Sequence, residues 1–482
     1  MRKLLDLSTQ RLIRLLEVLA SQEDWMTTGE LSSLIGASER TISEDVDTLN
    51  QRWGQYLDIE ITTKKGIRIR NQNASVLGRI LVDLFNESTA LRFLEEILLF
   101  PHHGTEYYEE KLFVSRSTLT RLLPRLNKYL SQRGISILRK NNSYQLIAKD
   151  EQHLRDFFAG FLIELNGVDL SKFNLNFDFI VPQTIAKRIF ARCLDETEYA
   201  FAAKDELTNL FNGMFYFVSL LRENQGYTLF SDYSIEGEIS DAEFSYFQNH
   251  FSNISADNLR PIHQFIHDQL HGWTSEEERA LVQRETAVFL DNILSTVQPL
   301  PGEDVIRRLN LVLRVMYFTA KHRPYQTSEL FDRVRYFALS VKKCNEPFYR
   351  LVERNLASLS QRIGFDMSGR LKDILFWMFL AFPRFGDFSA QKTALVVSDF
   401  GSRHAGFLAE YISMFFYSMG KSSALKAIPV PLTSDAQLFD AKDCDFVIST
   451  VPTVAAGNKK VILVNDFPTR ENMCEIYKTL TL

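Results

Sequence analysis

The feature that most constrains this chain is a pattern it carries twice. The segment ASERTISEDVDTLN at residues 37–50 returns as VSRSTLTRLLPRLN at residues 114–127. Ser115 then stands where Ser38 does, Thr118 for Thr41, Leu126 for Leu49 and Asn127 for Asn50. In the first copy Ser38 is a helix N-cap, and Ile42, Val46 and Leu49 follow it on one helical face. A shorter helix is expected ahead of each copy. In MTTGELSSLIG the expected cap is Thr28; the residue three positions on is Leu31, so no acidic partner completes a capping box, and Gly36 ends the helix. In the second copy the supporting helix is TEYYEEKLF. Two short helices joined by a tight turn form a helix-turn-helix. A hairpin follows each. LDIEITTKKGIRIRN alternates Ile59 and Ile61, turns at Lys64-Lys65-Gly66 and alternates again at Ile67 and Ile69; GISILRKNNSYQLIA turns at Asn141-Asn142. Two such runs in register describe a tandem pair of winged helix-turn-helix units.

A helix of this kind fits the DNA major groove, and the wing reaches backbone or minor groove. The two copies differ in charge. From Lys111 to Lys149 there are nine Lys or Arg and no Asp or Glu. Arg116, Arg121, Arg125, Lys128, Arg133, Arg139 and Lys140 are natural phosphate contacts, with Ser117, Thr118 and Thr120 beside them on the recognition helix. The first copy carries Glu39, Glu44, Asp45 and Asp47, which oppose a phosphate backbone; its DNA-facing candidates are Arg40, Thr41, Ser43 and the wing residues Lys64, Lys65 and Arg68. Winged units also serve as protein adaptors, so the acidic first unit has a second reading as a protein-contact module. Pro124 is expected to kink the second recognition helix, which favours contacts from Arg116 to Arg121.

The formal net charge of −5 excludes a general nucleic-acid coat but hides a local basic patch. Leu4, Leu5, Leu12, Leu15, Leu16 and Leu19 suit a helix with one buried face, and Arg11, Arg14 and Glu17 break the apolar run that a signal peptide needs. No stretch of about 18 uncharged apolar residues exists, so no membrane span is expected. Cys193, Cys344, Cys444 and Cys474 form no CxxC pair, which argues against a zinc cluster or disulfide scaffold and fits a reducing, cytoplasmic setting.

From about Glu151 to Ser389 the periodicity is helical, enough for two compact bundles. No catalytic pattern, cofactor motif or metal set emerges there, so an enzyme is not expected. His263, His267 and His271 recur every four residues without supporting ligands and read as packing or solvated histidines. His322, at a helix end that favours a cation, is a candidate regulatory residue. From about Gln391 the period changes. KTALVV, SALKAIPV, CDFVIST and KKVILVND read as strands of a small parallel α/β domain. The loop from Ser398 to Ser402 sits at the carboxyl end of the first strand, where such folds place ligands; Ser398 is a second candidate regulatory residue, although Asp399 opposes an anion.

This order resembles the Mga/AtxA family of global transcriptional regulators of Gram-positive bacteria. The resemblance implies a mainly α, multidomain chain. It assigns residues 1–75 and 76–160 to two winged helix-turn-helix domains, 161–280 and 281–390 to helical bundles like phosphotransferase-system regulation domains (PRD), and 391–482 to an α/β domain like the EIIB component of sugar phosphotransferase systems. It also implies an activator of carbohydrate-uptake, metabolic or virulence genes that binds double-stranded, intrinsically curved DNA and forms a homodimer or higher homo-oligomer through its C-terminal domain. Contacts with RNA polymerase or phosphotransferase-system proteins belong to the same expectation, as do the absence of a cofactor and of membrane contact. The chain departs from the family pattern where phosphate would act. Arg222 and Gly226 fit the regulation-domain motif, but the histidine position falls on Phe215, and near Arg314 in the second bundle. The Cys-x-x-Gly of EIIB is Ser398-Asp399-Phe400-Gly401. The alternative is an antiterminator-like RNA-binding regulator with the same control domains.

Overall fold

The computed structural model describes residues 2–22, 24–70, 74–166, 177–202, 206–296, 301–322, 332–387, 392–418, 424–432, 444–452, 454 and 456–481. It divides into two compact units, Met1–Gly272 with Phe318–Arg333, and Trp273–Tyr317 with Val334–Leu482.

The first unit opens with α1 (Leu7–Ser21), α2 (Thr28–Ile35), α3 (Glu39–Trp53) and the antiparallel hairpin β1 (Ile59–Thr62) and β2 (Gly66–Ile69). Leu12, Leu15, Leu16 and Leu19 of α1 are buried, as are Ile42, Val46, Leu49 and Trp53 of α3 and Ile67 and Ile69 of β2. The cap of α2 is Thr27, not Thr28: Thr27 Oγ1 accepts from the Glu30 amide while the Glu30 carboxylate takes the Thr27 amide, a complete capping box. Thr28 Oγ1 instead donates to Glu39 at 3.1 Å, across the turn. Gly66 has φ +100°, and a Cβ there would lie 2.1 Å from the Met26 carbonyl oxygen. The Met26–Ile67 bridge that seats the wing beside α2 therefore requires glycine.

Next come α4 (Ala74–Asn86), α5 (Thr89–Leu99), α6 (Thr105–Leu112), α7 (Arg116–Leu130), β3 (Ile135–Lys140) and β4 (Ser143–Ala148). Asn141 and Asn142 both have positive φ, and Lys140 pairs with Ser143, which is the two-residue turn whose twist suits a hairpin. Tyr108 is buried edge-on between Phe93 and Tyr144, with ring centroids 5.4 and 5.5 Å away, and donates to the Phe100 carbonyl.

The bundle of the first unit comprises α8 (Glu151–Asn166), α9 (Ile180–Arg192), α10 (Glu196–Ala202), α11 (Glu206–Asn224), α12 (Asp241–His250) and α13 (Ala256–His271). Here α11 packs against α8, α9 and α13. Its junction with the second wing is a buried ion network. Arg222 pairs with Glu151 at 2.6 Å and donates to the Leu146 carbonyl of β4; Arg155 pairs with Glu223 at 2.7 Å and donates to the Tyr227 carbonyl.

In the second unit α14 (Glu276–Leu294) packs on α17 (Glu346–Ile363), which packs on α18 (Leu371–Ala381); α15 (Glu303–His322), which continues into the first unit, and α16 (Arg333–Cys344) complete its helices. The four-stranded sheet that follows is parallel, in the order β6 (Leu425–Pro429), β5 (Lys392–Val397), β7 (Phe446–Ser449), β8 (Lys460–Leu463). Helices α19 (Ser402–Ser418) and α20 (Arg470–Thr481) bury Leu408, Ile412, Phe416, Met473 and Ile476 against it. Among the described residues no helix is long and apolar enough to cross a membrane.

Candidate nucleic-acid interface

Helix α7 begins at Ser115, whose Oγ accepts from the Thr118 amide. The cap frees the first turn to project outward. Leu119, Leu126 and Leu130 point into the core, while Arg116, Ser117, Thr120, Arg121 and Lys128 are exposed. Thr118 is half-buried and shares the cap hydrogen bonds with Ser115. The helix runs through Pro124 to Leu130, with the proline on its exposed face. Asn127 fixes the wing to this helix by taking the Ile137 amide at 2.6 Å and donating to the Ile137 carbonyl at 3.0 Å. That clamp sets the wing tip, where Arg139 and Lys140 are exposed. Arg139 donates to Asn142 Oδ1 and lies over the Tyr144 ring, and its charge acts on Glu106, which Asn142 Nδ2 holds at 3.0 Å. Arg116 has one acidic neighbour, Glu106, at 3.7 Å.

Two arginines expected on phosphates are engaged by the protein itself. Arg125 donates to the carbonyls of Lys3, Leu4 and Leu5, tying the recognition helix of the second winged unit to the start of the chain. Arg133 is half-buried and lies over Tyr129 and Phe157.

In the first winged unit the acidic expectation needs one correction. Asp45 is buried and receives two hydrogen bonds from Arg11, at 2.5 and 3.0 Å, so it does not face solvent. Glu39, Glu44 and Asp47 are exposed. Arg40 pairs with Glu44 at 3.0 Å, which offsets its charge. Ser43 is exposed and donates to the Glu39 carbonyl, and Thr41 is half-buried at the Ser38 cap. In the wing, Lys64 and Lys65 are exposed, whereas Arg68 pairs with Glu60 at 2.7 Å and lies over the Trp25 ring. In the second winged unit Arg121, Lys128 and Lys140 are exposed and Glu106 lies near Arg116 and Arg139, while the first winged unit pairs Arg40 and Arg68 with its own carboxylates.

The candidate control residues lie elsewhere. His322, at the end of α15, stacks on Phe318 and lines a cavity of about 290 Å³ within the first unit, together with Asp150, His153, Gln264 and Asp268. The histidines of the every-four stripe have separate partners. His263 is buried between Tyr216 (2.6 Å) and Glu238 (2.7 Å), His267 meets Asp268, and His271 meets the Cys193 carbonyl. Burial pushes the Tyr216 hydroxyl well above its ordinary range. Burial would also raise Glu238, but hydrogen bonds from His263 and Tyr233 outweigh it and hold the carboxyl below its ordinary range. Phe215, at the position of a regulatory histidine, is buried and stacked on Phe265 at 4.1 Å. Ser398 is buried at the end of β5, 2.7 Å from His404 Nδ1, and accepts from the Phe400 amide; His404 Nε2 contacts the Asp466 carbonyl at 2.9 Å. Sequence reasoning missed His404, although its place one turn into the helix after the loop was a usable signal.

A family comparison falls on the same segment. Residues 72–162 match the Mga helix-turn-helix domain. Among curated proteins, the chain is 27% identical to the capsule synthesis positive regulator AcpB of Bacillus anthracis over 131 residues, 27% of either chain. It is 23% identical to the capsule synthesis positive regulator AcpA of the same organism over 130 residues, again 27% of either chain. These alignments span about a quarter of each relative's length. The matched domain encloses α6, α7 and the second wing, so this part of the chain is similar to the Mga helix-turn-helix domain.

Proposed function

We propose that this chain is a DNA-binding transcriptional regulator that activates its targets, gripping duplex DNA through the phosphates along its second winged unit. The observation that carries the reading is the exposed set Arg116, Arg121, Lys128, Arg139 and Lys140, in a stretch without acidic residues. Phosphate contacts give affinity and register but little base information. Such a surface favours DNA whose intrinsic curvature brings more phosphates to it. The first unit plays the smaller part, through Lys64, Lys65, Thr41 and Ser43. The names of the relatives, positive regulators of capsule synthesis, support activation. His322 and Ser398 are the proposed points of control.

The C-terminal domain is the proposed site of self-association. Phe407, Tyr411 and Phe467 form one aromatic cluster on its surface, and Phe400, Met414 and Phe467 are each more than 60% exposed. A contiguous apolar patch of this kind is a common mark of a protein interface.

Gel shifts with a curved duplex and with RNA hairpins of matched charge test the reading. The duplex is expected to shift at lower protein concentration. Preferential binding of the hairpins would replace the reading with RNA-binding antitermination.

A further inference from the structure

Phe113 occupies the turn between α6 and α7, and two of its properties are unfavourable. Its side chain is 90% exposed, and its backbone lies in the left-handed region at φ +55°, ψ +46°. A bulky residue with positive φ is strained, and an exposed phenylalanine gains nothing from burial. The chain itself contains the unstrained alternative. Gly36 holds the corresponding place in the first winged unit, two residues before the Ser38 cap as Phe113 is before Ser115. It closes its helix with the same left-handed cap, at φ +79°, ψ +37°. The cap on α6 uses only the Phe113 amide, which donates to the Glu109 and Glu110 carbonyls. The ring is therefore not needed for the turn, and strain kept at such a position points to use elsewhere.

We infer that Phe113 is a DNA-contacting residue whose ring packs on deoxyribose edges and thymine methyl groups at the lip of the major groove entered by α7. The inference rests on the proposed reading of the second winged unit. Charge complementarity selects the occupant: Phe113 lies between exposed Lys111 and Arg116 and, with exposed Glu110 on its α6 side, opens a stretch with no carboxylate up to Lys149. Position along the chain selects the place. The N-terminal turn of a recognition helix is the part that enters the groove, and Phe113 lies two residues before the cap of α7. Thymine offers an apolar methyl group there, a surface that phenylalanine matches. The basic side chains around it supply attraction to phosphate; the ring adds a contact that salt does not screen.

The test uses the full chain with Phe113→Gly and Phe113→Asn, both tolerated in the left-handed region, beside Arg116→Ala/Arg121→Ala. Phe113→Gly relieves the backbone, so its thermal midpoint should equal or exceed that of the wild type. Both Phe113 variants should bind a curved, thymine-containing duplex roughly tenfold more weakly, as expected for losing a largely buried aromatic contact. The slope of log affinity against log salt should stay unchanged, because the ring releases no counterions. If the arginine variant weakens binding and both Phe113 variants bind like the wild type, the inference is overturned and the ring faces a protein partner instead. If the wild type does not bind duplex DNA, or the arginine variant binds as well as it does, the underlying DNA reading fails first.

Discussion

At the scale of single residues, charge type was legible and charge use was not. From their helices alone Arg125 and Asp45 read as outward-facing. Arg125 is captured by carbonyls about 120 positions earlier in the chain and Asp45 by Arg11, and no local pattern announces either partner. Buried pairs are the extreme case. The side chains of Arg155 and Glu223 are at most 1% exposed, so Arg155→Met leaves a buried carboxylate without its cationic partner. Unfolding by urea should show a loss of about 3–5 kcal/mol. Glu238 makes a pH prediction. Its folded-state pKa lies below the ordinary carboxyl value of 4.5, so the stabilisation it gives is complete above that value and is lost as pH falls through the depressed folded pKa. Glu238→Gln should flatten the decline of stability with acidification in that window; an unchanged acid limb, measured by urea unfolding at a series of pH values, would remove Glu238 from the account.

At the scale of elements, local chemistry carried most of the reading. Both recognition helices begin at the serines named from sequence, and the Asn-Asn turn supplies the two positive φ angles that its hairpin needs. The cap of α2 was misplaced by one residue because Thr27 and Thr28 are chemically alike, and only the reciprocal bond with Glu30 separates them. No motif announces helices α4 and α5, although Leu77, Ile80, Leu81 and Leu84 form a buried stripe; α5 packs on α6, α7 and β4 of the second winged unit, and α4 packs on α5 and α8. Removing the cap of the proposed DNA helix by Ser115→Ala should cost about 1 kcal/mol of stability. It should also weaken duplex binding, since the frayed turn carries Arg116; a stability loss with unchanged binding would place the contacts further along α7.

At the scale of the whole chain, the repeat announced the paired winged units and the change of period announced the parallel sheet. The aromatic cluster on the C-terminal domain was not legible, because Phe407 and Phe467 meet only after the sheet has formed. Replacing both by aspartate should shift the protein to monomer in sedimentation velocity at micromolar concentration; an unchanged oligomer would put self-association elsewhere. The central claim is that the second winged unit holds the phosphates, and duplex binding measured across a salt series tests it most directly. Wild type should be compared with Arg116→Ala/Arg121→Ala and with Arg40→Ala. Losing two phosphate contacts should weaken binding and lower the salt slope by roughly 1.8, while Arg40→Ala, already paired with Glu44, should change little. An unchanged slope in the double variant, with binding lost in Arg40→Ala, would contradict the account and make the acidic first unit the reader.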